Sequence, residues 1–206
     1  MTTKLICITG ADGAGKTTQI TRVAEQLIRQ GTKGLAVATI WDLMLDPETA
    51  PKIGVRSPAD VDRLLGVLHP PARTLYFYLS FREVLTRALA RGPQVILLNS
   101  YWYKYCATEI AHGADPGQSE RLAEEIFPEP DLTFYLRVDP RDAFARKANL
   151  SSYETGFADP KTEAKFVDFQ RRAQAFLEAQ CEKRAWIGLE ASEPREAVTA
   201  RILERL

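Results

Sequence analysis

The segment Gly10-Ala11-Asp12-Gly13-Ala14-Gly15-Lys16-Thr17 constrains this chain more than any other, because it completes the pattern GxxxxGK[ST] in a context that gives the pattern physical meaning. Upstream, Leu5-Ile6-Cys7-Ile8-Thr9 is a short continuous apolar run, as expected of a strand buried on both faces of a parallel sheet. Downstream, Ile20, Val23, Ala24, Leu27 and Ile28 fall on one face at helical spacing, and Gly31 and Gly34 end the helix. A glycine-rich turn between strand and helix lets the backbone approach an anion closely, and its amides and the helix N-terminus favour negative charge. Chance yields the pattern in roughly 1 in 100 chains of this size, and the strand–helix context lowers that further. The expected ligand is the phosphate chain of ATP, held by Gly10 to Thr17 and by Thr18. Lys16 is expected on the β- and γ-phosphates, and Thr17 on Mg2+.

The remaining chain continues the alternation. Strands are expected at Leu35-Ala36-Val37-Ala38-Thr39-Ile40, at Gln94-Val95-Ile96-Leu97-Leu98, from Leu132 to Val138, and from Ala185 to Leu189. Helices are expected from Ala59 to Leu68, from about Ala72 to Ala90, from Tyr101 to Ala111, from Glu120 to Ile126, after Pro140, around Phe166 to Leu177, and around Val198 to Leu206. The stretch from Asp42 to Pro58 holds three prolines and reads as loop. Residues 149–160 lack apolar period and read as a mobile excursion, a lid. The expected class is α/β: a three-layer P-loop NTPase fold with a five-stranded parallel sheet, helices on both faces and a lid segment. Its 206 residues suit one domain, 1–206.

Lysine plus arginine equals aspartate plus glutamate, 27 each, so no global basic field exists to grip a nucleic-acid polymer. Cys7, Cys106 and Cys181 are far apart and form no CxxC pair, which argues against zinc and a disulfide framework. No uncharged apolar stretch spans a bilayer, and the residues before Leu5 are too few for a signal sequence, so a cytoplasmic location is expected. A guanine-reading Asn-Lys-x-Asp is absent, which argues against a GTPase. The third strand ends in Asn99 rather than the acidic magnesium ligand expected of a signalling or motor ATPase.

Three stretches together resemble the thymidylate kinase family. Gly10 to Gln19 is similar to its opening. Pro130-Asp131-Leu132-Thr133-Phe134-Tyr135-Leu136-Arg137-Val138-Asp139-Pro140 is similar to its penultimate strand, and Trp186 to Pro194 to its tail. The resemblance runs nearly the whole length of the chain and is strongest at both ends. It implies phosphoryl transfer from Mg-ATP to a nucleoside monophosphate, a mobile lid, and a homodimer through the helices after strands two and three. Asp12 falls where the family holds the acceptor sugar, Tyr78 where it stacks the base and Arg82 where it reads the base. Periodicity agrees in part: Leu75, Tyr78, Leu79, Arg82, Leu85, Thr86 and Leu89 share one stripe, within which Arg82 is a charge. A ring and a guanidinium so placed can stack on a base and bond its carbonyl, although core packing of Tyr78 and pairing of Arg82 with an acid such as Glu83 are the structural alternatives.

The departures fall on the acceptor side. Where the family carries Asp-Arg-Tyr, this chain has Asn99-Ser100-Tyr101; where the family has an Arg-x-Pro-Gly loop, Ile40-Trp41-Asp42-Leu43-Met44 stands. Lys104, one helical turn past Ser100, and Arg56 are the candidate replacement charges. Trp41, Trp102, Tyr101, Tyr103 and Tyr105 are candidates to reshape the pocket, with core packing as the alternative for each. Arg146, beside the lid with Lys147 and Lys161, is the candidate for stabilising charge on the transferring phosphoryl group. Glu154 reads as a solvated lid residue, and His69 and His112 receive no chemistry. The expected activity is thymidylate-kinase-like, with an altered acceptor. The alternatives are a kinase for a modified nucleotide or a nucleoside, and a nucleotide-binding regulatory protein with little turnover.

Overall fold

In a computed structural model that describes residues 2–53 and 55–206, five strands form one all-parallel sheet. These are β1 (Lys4–Gly10), β2 (Leu35–Ala38), β3 (Val95–Asn99), β4 (Leu132–Arg137) and β5 (Ile187–Glu190), in the spatial order β2-β3-β1-β4-β5. Alternation along each strand feeds two cores. Leu5 and Cys7 of β1, Ile96 and Leu98 of β3 and Tyr135 of β4 face one side; Ile6, Ile8, Leu97, Phe134 and Leu136 face the other. Since both faces are covered, the strands read as continuous apolar runs rather than alternating ones.

The helices are α1 (Lys16–Arg29), α2 (Trp41–Met44), α3 (Pro58–Val67), α4 (Pro70–Ala90), α5 (Tyr101–Ala111), α6 (Pro116–Ile126), α7 (Pro140–Ala145), α8 (Glu163–Lys183) and α9 (Arg195–Leu203). α1 and α9 cover one face of the sheet, while α4 and α5 cover the other. Caps set several starts: Ser57, Asp115, Asp139 and Thr162 each accept a backbone N–H of the first turn of α3, α6, α7 and α8. The chain order reverses at β1, which pairs with β3 on one side and β4 on the other. Such a switch point opens a crevice at the carboxyl ends of the strands, where Gly10 leads into the phosphate loop.

One expectation is corrected. The stretch from Asp42 to Pro58 is not all loop: α2 occupies Trp41–Met44, and a 3-10 turn occupies Ala50–Ile53. Residues 149–160, expected as a mobile excursion, fold back onto the body of the protein. Tyr153 is buried, Phe157 packs on His112, and Asp62 of α3 accepts the backbone N–H groups of Ser152 and Tyr153 at 3.0 and 3.1 Å. Two aromatics spaced four apart anchor this segment, and no periodicity search recovers so short a signal.

Candidate active site

The phosphate loop is held open by its own stereochemistry. Gly13 has φ +82°, and a Cβ there would lie 2.8 Å from both the Cβ and the carbonyl oxygen of Ala143. Only glycine lets α7 pack this closely against the loop. Asp12 N donates to Gln170 Oε1 at 3.2 Å, and Gln170 Nε2 donates to Glu154 O at 3.2 Å, so α8 ties the loop to the lid. Lys16 Nζ donates to Ala11 O at 2.7 Å. Burial lowers the Lys16 ammonium to a pKa of about 8 against the attraction of Asp12, with Lys104 and Lys147 adding repulsion.

Two cavities share this loop as a wall, with Gly13, Gly15 and Thr18 lining both. The first, about 590 Å³, runs between the loop and the segment Ala191 to Arg195, with Arg146 and Asn149 at its edge. Arg146 Nη2 donates to Ala191 O at 3.0 Å, which places this residue on the first cavity. The second, about 430 Å³, is bounded by Asp12, Lys16, Asn99, Ser100 and Lys104 on its polar side. Ile40, Trp41, Leu65, Phe77, Tyr105 and Tyr153 are among its apolar walls.

The polar side of the second cavity is an ion-pair cluster. Lys104 Nζ lies 3.2 Å from Asp12 Oδ1, both side chains being largely buried, and Asp12 Oδ2 has no hydrogen-bond partner. Burial pushes the Asp12 carboxyl up, but the charges of Lys104, Lys16 and Lys147 outweigh it and hold the pKa at about 2. Lys147 Nζ pairs with Glu154 Oε1 at 2.7 Å. Burial and the charge of Asp12 raise the Glu154 carboxyl. Asn99 Nδ2 approaches Thr17 Oγ1 at 3.3 Å. Ser100 and Tyr101 both have left-handed backbone, φ 77° and 58°, at the turn from β3 into α5. Strain of this kind in non-glycine residues persists where the surroundings impose it, and it concentrates at functional sites.

Behind the cavity lies a second buried network. Tyr153 donates its hydroxyl to Glu109 Oε1 at 2.8 Å, and Arg73 Nε sits 3.0 Å from Glu109 Oε2. Arg73 also donates to the carbonyls of Leu65 and Leu68, which commits its guanidinium to the scaffold.

Asp12, Asn99 and Lys104 converge as the sequence reading expects, whereas Tyr78 and Arg82 do not join them. Tyr78 is buried beside Phe127 and donates its hydroxyl to Ser119 O at 3.0 Å; Arg82 is exposed. The α4 ring that lines the cavity is Phe77, one position earlier. The cause is α4 itself, which carries apolar residues all round. Leu75 and Leu79 face solvent at 56% and 67% exposure, so an outward stripe imitates a core stripe. Trp102 and Tyr103 pack in the core under Arg184, and Arg56 does not line either cavity; Trp41 and Tyr105 do line the second. Phe77, Lys147, Asp62 and Gln170 went unassigned by sequence reading. Lys147 had a signal, its place beside Arg146, but nothing distinguished it from a solvated lysine.

The family model for thymidylate kinase matches residues 70–202. The chain belongs to the thymidylate kinase family. A probable thymidylate kinase of Archaeoglobus fulgidus is 30% identical, covering 94% of this chain and 90% of its own. A thymidylate kinase of Synechococcus sp. (strain CC9605) is 31% identical, covering 100% of this chain and 98% of its own. The crystal structure of thymidylate kinase from Ehrlichia chaffeensis superposes with a TM-score of 0.68 at 16% identity, covering 100% of this chain and 99% of that one; it shows the shared fold. The protein is thus a P-loop nucleotide kinase with thymidylate-kinase-like phosphoryl transfer, and the family implies ATP as its donor. No described helix is long and apolar enough to cross a membrane.

Proposed function

We propose that this thymidylate kinase relative transfers the γ-phosphoryl group of ATP, bound along the first cavity, to a nucleotide-like acceptor seated in the second. The observation that carries the reading is the shared wall: one phosphate loop separates two cavities, so a donor and an acceptor would meet at Gly13 to Thr18. Phosphoryl transfer needs little covalent help from protein, and positioning with charge neutralisation supplies most of the catalysis. Lys16 would leave Ala11 O for the β- and γ-phosphates. Arg146 or Lys147 would add positive charge at the transferring group.

Mg2+ fits the oxygen donors present. Among the described residues no cluster of three or more His, Cys, Asp or Glu forms a cage for a metal ion. Mg2+ bound with phosphates needs few protein ligands, and Thr17 Oγ1 with Asn99 beside it would hold it. When bound, it neutralises charge on the phosphate oxygens. The family leads to a pyrimidine nucleoside monophosphate as acceptor, with Asp12 toward the sugar and Lys104 replacing the missing guanidinium. A homodimer through the exposed Leu75 and Leu79 face of α4 also accords with the family, and sedimentation of the Leu79→Glu variant tests it. The activity itself is tested by ADP formation from Mg-ATP over a panel of nucleosides and monophosphates. Turnover with at least one of them, lost in Lys16→Ala, is expected; turnover that survives in Lys16→Ala contradicts the reading.

A further inference from the structure

We infer that Asp62 is a positioning residue for phosphoryl transfer: from α3 it clasps the lid across the second cavity and so sets Lys147 at the wall between the two cavities. This rests on the kinase reading above and gives a role to a residue which that reading leaves idle. Asp62 lines the second cavity on one face of α3 with Pro58, Val61 and Leu65. Its two carboxylate oxygens accept consecutive lid amides, Ser152 N at Oδ2 and Tyr153 N at Oδ1, at 3.0 and 3.1 Å. These amides open the 3-10 turn Tyr153–Thr155, where no carbonyl of the turn can reach them, so the carboxylate caps the turn from 90 residues away. Further anchors come from the body of the protein: Tyr153 donates its hydroxyl to Glu109 of α5, and Gln170 of α8 donates to Glu154 O. Asp62 adds the tie to α3, a wall of the second cavity.

The next residue of the turn carries the consequence to the phosphates. Glu154 lines the second cavity, Lys147 lines the first, and Lys147 Nζ donates to Glu154 Oε1 at 2.7 Å. The pair therefore spans the wall where donor and acceptor would meet. The charge of Lys147 is felt by both Asp12 and Lys16 of the phosphate loop. Arg146, by contrast, is exposed and bonded to Ala191 O. An ammonium has three protons, so Lys147 keeps its bond to Glu154 while donating to the transferring group. Where Glu154 stands decides where that ammonium points, and Asp62 sets where Glu154 stands. An acceptor against Val61 and Leu65 would also seat the helix that holds the lid, so occupancy of the second cavity reaches the charge beside the first through Asp62. Without this work a carboxylate on that wall would only repel an incoming phosphate.

The test is ADP formation by the full chain from Mg-ATP with the 5′-monophosphates of thymidine, deoxyuridine, deoxycytidine, deoxyadenosine and deoxyguanosine, continued with the best acceptor among them. Asp62→Ala should lower kcat roughly tenfold, the scale of one charge-assisted bond, while KM for ATP stays within about twofold. Asp62→Asn keeps an oxygen for one of the two amides and should lose roughly threefold. The deciding measurement is a double-mutant cycle. In a Lys147→Ala background, Asp62→Ala should lower kcat by less than about twofold more, because the residue it positions is gone. A purely structural Asp62 would give the full loss in both backgrounds, and native kcat in Asp62→Ala would show no part in transfer. Either result overturns the inference and leaves the kinase reading standing. Should Asp62→Ala misfold, Asp62→Asn runs the same cycle: its smaller loss should appear in the native background only, and an equal loss in both contradicts the clasp. Native protein that turns over none of these monophosphates overturns the inference together with the nucleotide acceptor on which it rests.

Discussion

The two walls of the phosphate loop differ in how they are made. The wall proposed for the donor is written largely in backbone: Gly10 to Thr17 supply amides, glycine dihedrals and a helix N-terminus, and Lys16, Thr17 and Arg146 add side-chain chemistry. The wall proposed for the acceptor is written in side chains drawn from the turn after β2, from β3, α2, α3, α4 and α5, and from the lid, each placed by a different part of the fold. A backbone device tolerates little change, because a Cβ at Gly13 would strike Ala143. A side-chain device can be rebuilt one residue at a time. Relative to the pattern its sequence resembles, this chain keeps the phosphate loop with Asp12 and departs at Asn99, at Ser100 and in the segment from Ile40.

The sharpest break of that comparison is on the donor side. Lys16→Ala should lower kcat about a hundredfold or more, the usual cost of losing one donor aimed at developing charge. Wild-type rates in that variant would show that the loop is not the donor wall. Next, the ATP dissociation constant measured by titration calorimetry should weaken roughly tenfold between pH 7 and pH 9. The sign follows from Lys16, whose pKa near 8 in the free protein must rise once phosphates surround it. ATP binding then takes up a proton above pH 8 and is opposed by alkali. A flat pH profile would mean that Lys16 is not the group on the phosphates.

On the acceptor side, Phe77→Leu should raise acceptor KM by roughly fivefold to tenfold, from lost stacking, while leaving ATP affinity unchanged. Tyr78→Phe and Arg82→Ala should leave acceptor kinetics within about twofold. Tyr78→Phe should still cost about 1 kcal/mol of stability, because its bond to Ser119 O is lost. Steady-state kinetics beside urea unfolding would separate the two effects. A larger acceptor defect in Arg82→Ala than in Phe77→Leu would restore the inward stripe that the sequence suggested.

The same contrast explains what the sequence disclosed. The sheet, its parallel sense and the loop follow from contiguous patterns: an apolar strand, a glycine-rich turn, an amphipathic helix. All five strands lie where the apolar runs place them, within two residues or so at their ends. Asp12, Asn99 and Lys104 were legible because each stands at a fixed short offset from a strand end. Phe77 was not, because choosing between it and Tyr78 requires the rotation of α4. A helix with apolar residues on every side gives no sequence signal for that angle. The lid anchorage was hidden for a related reason. Asp62 satisfies Ser152 and Tyr153 from 90 residues away, and no local pattern reports a contact of that range.

The division of the loop into a donor wall and an acceptor wall is tested most directly by blocking each cavity in turn and titrating ATP. Ser192 is exposed on the first cavity and Thr39 is partly exposed on the second, so a bulky ring at either position has room to form without disturbing the core. Ser192→Trp should weaken ATP binding by roughly tenfold or more, and Thr39→Trp should leave it within about twofold while abolishing acceptor turnover. The reverse pattern, ATP lost in Thr39→Trp and kept in Ser192→Trp, would contradict the account.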